Sequence, residues 1–427
     1  MMNKIKKFFT LFFLWLALHS LSAQPFNNIV LEDAVYVEDI HSIKFTLEGL
    51  GFGQPILILN SSEKLSLRFD DFQTDARYLK YTLIHCSHDW RMSDMSQIEY
   101  IEGYMEDDIK DFSYSFNTIQ SYIHYELLFP NEYMNVTKSG NYILFVYEDD
   151  ISNPILTRRM MIVEPLQVGI RGVVKQAANV TDMYVRQEVD FTVNTGRYAV
   201  QNPSLYLNAT IMQNGRWDNA IMGLKYRFGK PGEYSFDYDN NQNSFSGGAE
   251  FRTFDIRTLH SNGNRIVSIG YQNGINRAYV FEDKMRPFGA YETNSTLKGK
   301  CFYRNADYQG KNREDYVDVY FSLRPDYNIL NGDVYVFGEL TDWQIKREAK
   351  LKFNPDINYW ETTLYLKQGF YNYQYVYLKN GTNTIDATYI EGSHWQTGNE
   401  YTILIYLQDG GTIYDKLIGF NYLTITP

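Results

Sequence analysis

Cysteine is nearly absent: 427 residues hold two, Cys86 and Cys301. That excludes a disulfide framework and any CxxC-type zinc module. The two fall in different expected units, and Cys86 falls in an expected core strand, so both are read as free structural residues. Positive charge is also short, with 40 Lys and Arg against 51 Asp and Glu for a formal net charge of −11. The balance argues against a sequence-independent nucleic-acid binder, which needs a basic face. It equally argues against polybasic attachment to anionic lipid. Sustained helix-period stretches with caps are lacking, and beyond the N-terminus no stretch is long and apolar enough for a transmembrane helix. Direct lipid insertion is therefore not expected. The chain carries no Gly-x-Ser-x-Gly elbow, His-Glu-x-x-His pair, P-loop or Gly-x-Gly-x-x-Gly turn. No catalytic residue, cofactor or metal is assigned, and the chain is read as not an enzyme.

What is present is aromatic. Tyr, Phe and Trp make up 16% of the chain, with 37 Tyr, 27 Phe and 6 Trp. A hydrophobic fraction of 44% excludes a mainly disordered chain. The length allows roughly two to four domains. At the N-terminus, Lys4, Lys6 and Lys7 precede an apolar run from Phe8 to Leu18, and Leu21-Ser22-Ala23 resembles a cleavage site. Residues 1–23 are read as a cleaved export signal. Removing its three lysines takes the net charge from −11 to −14. The expected location is the periplasm or cell surface.

The dominant period is two. Segment 140–147 is apolar on both faces, as a strand covered by two layers should be. Segments 77–86 and 122–129 are similar. Tyr371, Tyr373, Tyr375 and Tyr377 alternate strictly on one face. Turn signals punctuate these runs: Asn60-Ser61-Ser62, Lys138-Ser139-Gly140, Asn214-Gly215, Asn262-Gly263, Asn331-Gly332 and Asn380-Gly381. The pattern predicts an all-β protein of consecutive immunoglobulin-like β-sandwich domains. Composition divides the mature chain into 24–165, 166–297 and 298–427, the middle unit interrupted by an Asn- and Gly-rich loop at 239–249.

The segment His85-Cys86-Ser87-His88-Asp89-Trp90 holds four possible metal ligands in five residues. Alternation along a strand sends His85 and Cys86 to opposite faces, so a structural turn is expected instead. A Cys86 nucleophile needs a depressed thiol pKa and an oxyanion pocket. The pairs Asp70-Asp71 and Asp107-Asp108 face opposite ways on a strand and are expected in solvated turns rather than as glycosidase carboxylates.

The C-terminal unit reads Val334-Tyr335-Val336-Phe337-Gly338-Glu339-Leu340-Thr341-Asp342-Trp343, then Tyr359-Trp360-Glu361 and Gly369-Phe370-Tyr371-Asn372-Tyr373-Gln374-Tyr375. It resembles the early-set immunoglobulin-like domain of glycogen-binding modules and starch-branching enzymes. Trp343 matches one of that family's sugar-stacking tryptophans. The turn Asn380-Gly381-Thr382-Asn383 lacks the second, so a glycan-binding function stands only as the alternative.

The first unit carries Leu65-Ser66-Leu67-Arg68-Phe69-Asp70-Asp71-Phe72, Tyr81-Thr82-Leu83-Ile84-His85-Cys86-Ser87-His88-Asp89-Trp90 and Glu99-Tyr100-Ile101-Glu102-Gly103-Tyr104. Phe129-Pro130-Asn131-Glu132 and Ser139-Gly140-Asn141-Tyr142 follow, and near the end Glu391-Gly392-Ser393-His394 and Tyr414-Asp415-Lys416-Leu417-Ile418-Gly419. In order and spacing these resemble the type IX secretion system plug protein family. Lys416 stands where that family has Arg, and Ser87 where it has an acidic residue or Asn. The resemblance implies a periplasmic, non-catalytic subunit that binds the periplasmic mouth of a large outer-membrane translocon β-barrel and closes it when no cargo crosses. It is expected to be a monomer when free. Loop aromatics at Trp90, Tyr100, Tyr104, Phe245 and Trp343 are the candidate partner-binding residues.

Overall fold

The four alternating tyrosines set one side of a sandwich core. In the computed structural model, which describes residues 26–425 apart from 27, 28, 197 and 409, they lie on the strand Gly369–Lys379. The expected signal segment 1–23 lies outside the described residues. Tyr371, Tyr373, Tyr375 and Tyr377 are all buried in one core with Val317, Val319, Phe321 and Val334. A buried tyrosine needs a partner for its hydroxyl. Tyr373 and Tyr375 donate to Asp283 at 2.6 and 2.9 Å, Tyr377 donates to the Leu330 carbonyl at 2.9 Å, and Tyr371 donates to the Lys367 carbonyl.

The chain is all-β, and three pairs of facing sheets form three sandwiches. In the first, the strands Leu79–Cys86, Gly140–Glu148 and Pro154–Val163 face a four-stranded sheet. That sheet runs in the order Ile40–Leu47, Leu65–Asp71, Ile123–Phe129, Asp111–Tyr114. The run Gly140–Asn141–Tyr142–Ile143–Leu144–Phe145–Val146–Tyr147 is buried throughout, as its two-faced apolar pattern requires. Even residues such as Tyr142 and Leu144 enter the first core, while Ile143, Phe145 and Tyr147 enter a second layer with Met212, Leu404 and Tyr406. Turn asparagines Asn60, Asn214 and Asn331 take left-handed φ of 62°, 55° and 58°.

Strand pairing crosses the expected boundary at 297 in both directions. The strand Glu400–Leu407 returns to pair with Leu207–Gln213, the final strand Lys416–Thr424 pairs with it in turn, and the two complete the middle sandwich. The strands Arg252–Asp255, Ile266–Gln272 and Ile275–Val280 pair instead with the third. The sandwiches therefore comprise about 26–164, 166–246 with 400–424, and 250–392. One ten-stranded sheet serves both the first and middle units, continuous through Val163 beside Leu417. Among the described residues no helix is long and apolar enough to cross a membrane.

Candidate docking surface

Of the five candidate aromatics, Trp90, Tyr100 and Phe245 are buried and unavailable to a partner. Trp90 closes the turn after the strand Leu79–Cys86 with φ of 63° and packs edge-on against Trp217 at 5.0 Å. Tyr100 donates its hydroxyl to the Leu83 carbonyl at 3.1 Å. Phe245 lies in the strand Ser244–Ser246, which folds the expected 239–249 loop inward against Arg186–Asn194. These residues carry loop-like neighbours in sequence, but their connections tuck beneath the sheets.

Trp343 is half-buried at a junction of all three units. Its ring meets Phe337 at 5.5 Å and Phe251 at 6.0 Å, and the Arg216 guanidinium of the middle sandwich lies 5.1 Å over it. A Cβ on Gly299 would come within 2.2 Å of the Trp343 ring, so glycine is required there. Nearby, Arg159 sits 5.1 and 5.3 Å from the rings of Trp90 and Trp217, and Arg158 pairs with Asp342 at 2.8 Å. Of the tryptophans expected to face a partner, Trp90 meets the middle sandwich edge-on at Trp217, and Trp343 meets it through the cation–π contact of Arg216.

The His85–Trp90 segment is a structural turn. The two ring nitrogens of His85 meet Ser93 Oγ at 3.0 Å and the Ser139 carbonyl at 3.1 Å, and burial pulls its pKa down to about 4. Asp415 accepts from the backbone and Nδ1 of His88, both at 2.9 Å. Burial pushes the Cys86 thiol up to about 12, the reverse of what a nucleophile needs. Cys301 is likewise free, buried and raised to about 12. Asp70 and Asp71 do face opposite ways, but both are buried rather than solvated. Asp70 accepts from Lys367 at 2.6 Å, Tyr316 at 2.7 Å and His124 at 2.7 Å, and Asp71 pairs with Arg77 at 2.7 Å. The first pair ties the first sandwich to the third. Alternation was legible; the Lys367 partner almost 300 residues away was not.

Among the described residues, Glu188, Asp190 and Asp237 bring carboxylate oxygens within 4.8 Å of one another. The Lys175 ammonium already sits on Asp190 and lies 3.4 Å from Glu188, in the place a cation would take.

Tyr104 is the candidate that the fold exposes, at 63%. Gly103 with φ of 100° turns the chain so closely past Tyr133 that a Cβ would strike its carbonyl oxygen at 2.1 Å. Tyr104 N–H donates to that same carbonyl at 2.8 Å, and the rings of Tyr104 and Tyr133 stack at 6.3 Å. Lys110 lies 4.5 Å over Tyr133 and leads into the strand Asp111–Tyr114, every residue of which is exposed. That strand is the free edge of the four-stranded sheet. Phe112 and Tyr114 stand 6.2 Å apart on it, and Phe116 follows, exposed, with Arg313 over its ring at 4.6 Å. The result is an aromatic strip along an unpaired sheet edge, both features of surfaces that other chains bind. Sequence reasoning named Tyr104 but not the exposed Phe112, Tyr114 and Tyr133. The alternation of Asp111-Phe112-Ser113-Tyr114 was the available signal; that the strand is an edge was not.

No curated protein matches the chain. A solved structure of a hypothetical protein from Parabacteroides merdae superposes with a TM-score of 0.88 at 29% identity, covering 93% of this chain and 100% of that one. A Salmonella alpha-2-macroglobulin variant matches at 11% identity with a TM-score of 0.18, covering 95% of this chain and 28% of that one, too slight a likeness to carry an argument. Residues 40–164, the first sandwich with its aromatic edge, match the family model described as Type 9 secretion system plug protein 1st domain.

Proposed function

We propose that this chain is a non-catalytic periplasmic plug, which docks on the periplasmic mouth of a large outer-membrane translocon barrel and closes it when no cargo is passing. The observation that carries the site is the exposed strip of Tyr104, Tyr133, Phe112, Tyr114 and Phe116 on the sandwich that bears the family match. Aromatic side chains give large contact area at low conformational cost and dominate interface energetics. A plug must also resist deformation. The buried Asp70–Lys367 pair, the Lys44–Glu339 contact at 2.6 Å and the arginine–tryptophan junction hold the three sandwiches as one body.

The test is affinity purification from envelope extract. Wild type is expected to bring down an outer-membrane barrel, and a Tyr104→Ser, Tyr114→Ser variant to lose it while melting at the wild-type temperature. A deletion strain is expected to admit large antibiotics. Normal exclusion in that strain together with no captured barrel would end the proposal.

A further inference from the structure

The four-stranded sheet of the first sandwich has one apolar face in the core and one charged face turned toward the third sandwich. Its register aligns Lys44 with Arg68, Arg68 with Glu126 and Glu126 with Asp111, one residue per strand. Directly paired residues share a face, and neighbouring strands lie about 4.8 Å apart. The sheet therefore displays a straight row of two positive and two negative charges. Lys44 is covered by the third sandwich and neutralised by Glu339. The other three open onto a cleft of about 830 Å³ between the two sandwiches.

Oppositely charged residues directly across a sheet normally pair. Arg68 and Glu126 do not. Among the described residues the Arg68 guanidinium has no protein acceptor, and its Nε is buried without a partner. The Glu126 carboxylate takes a hydrogen bond from Ser66 instead, at 2.8 Å. A guanidinium without an acceptor at the wall of a cleft is costly in isolation and recovers a charge-assisted, two-pronged bond when a carboxylate arrives. The rest of the cleft is not uniformly basic. Glu314 and Glu48 line it together with Lys311, so a purely acidic ligand meets carboxylates as well as ammonium groups. Phe302 supplies an aromatic wall.

We infer that this cleft binds an extended polypeptide segment carrying a carboxylate for Arg68 and, two residues on, a basic side chain for Glu126 and Asp111. In an extended chain, side chains two residues apart point the same way about 6.8 Å apart. That falls between the one-strand and two-strand separations of Arg68 from Glu126 and from Asp111, so a single acid-x-base unit spans the open part of the row. Charge complementarity selects this occupant over a free anion, which satisfies Arg68 but leaves the two carboxylates facing it. The inference does not depend on the barrel: it concerns the purified chain and a peptide.

The experiment is fluorescence polarisation of the full chain with a labelled, end-capped peptide of repeating Thr-Glu-Thr-Lys. Saturable binding is expected, weakened about tenfold or more by Arg68→Gln and less by Arg68→Lys, which keeps the charge but not the fork. Asp111→Asn is expected to weaken it by a smaller factor, and a peptide with Gln in place of Glu and Lys to bind no better than the Arg68→Gln protein does. Equal binding of the uncharged peptide overturns the inference. So do displacement by inorganic phosphate alone, unchanged binding to Arg68→Gln, and no saturable binding. Melting of each variant at the wild-type temperature, since none removes core volume, separates lost recognition from lost fold.

Discussion

Glu391 gives the sharpest handle on what stabilises the third sandwich. Its carboxylate is 1% exposed and accepts from Arg252 Nε at 3.0 and 3.2 Å, Arg252 Nη2 at 3.0 Å, Arg286 Nε at 2.6 Å and the Tyr375 backbone at 2.8 Å. Burial opposes the charge, but the two arginines prevail and hold the carboxyl down to about 2. An unfolded glutamate titrates near 4.3. The folded state thus binds fewer protons than the unfolded state between those values. Stability from this group is fully present above about pH 4.3 and lost as pH falls through about 2. The difference corresponds to something on the order of 3 kcal/mol. Glu391→Gln keeps the shape and removes the charge, leaving Arg252 with Asp283 at 2.7 Å as its remaining anion. Removing one partner of a buried pair costs about 3–5 kcal/mol, which agrees with the linkage figure. Urea unfolding followed by near-ultraviolet circular dichroism, repeated from pH 7 to pH 2.5, reads both quantities. The variant is expected to be less stable at pH 7 and to lose stability less steeply below pH 4.3. A loss under about 1 kcal/mol at pH 7, the range of an exposed pair, or parallel pH profiles would refute the reasoning.

Three further outcomes follow from the same contacts. Asp70→Asn is expected to cost about 3–5 kcal/mol in urea unfolding, because Lys367 stays buried without its anion, and the added Lys367→Met replacement to restore a measurable part of it. Both thiols, buried and raised to about 12, are expected to stay unlabelled by a thiol reagent at pH 8 in the native protein and to react fully in denaturant. Trp343→Ala is expected to destabilise by about 3 kcal/mol through lost packing on Phe337 and Arg216, while calorimetry with α-glucans shows no difference between it and wild type.

The local pattern carried the fold class because strand period is a local property. The tyrosines at 371, 373, 375 and 377 and the run at 140–147 announced one-faced and two-faced burial, and both are found. Exposure of loop aromatics is not local. Trp90, Phe245 and Trp343 each stand among turn residues, and nothing near them in sequence names Trp217, Tyr401 or Arg216 as the group that covers them. The same holds for Asp70, whose solvated-turn reading failed because Lys367 and Tyr316 arrive from another sandwich. Tyr104 is exposed as expected because Gly103 fixes its direction through a neighbour it already touches, Tyr133.

The unexpected return of residues 400–424 to the middle sandwich explains why these long-range contacts form together. Because the last two strands sit between Leu207–Gln213 and Pro154–Val163, the first and middle units share a sheet. That sheet brings Arg159 and Trp90 of the first unit against Trp217 of the middle one. The adjacent Arg216 then reaches Trp343 of the third. Each sandwich is held by the other two, so a load applied at the aromatic edge of the first is borne by backbone hydrogen bonds to the middle and by buried ion pairs to the third. A chain of three freely linked domains with the same sequence composition would yield at its linkers, whereas this topology leaves no single linker that carries the load.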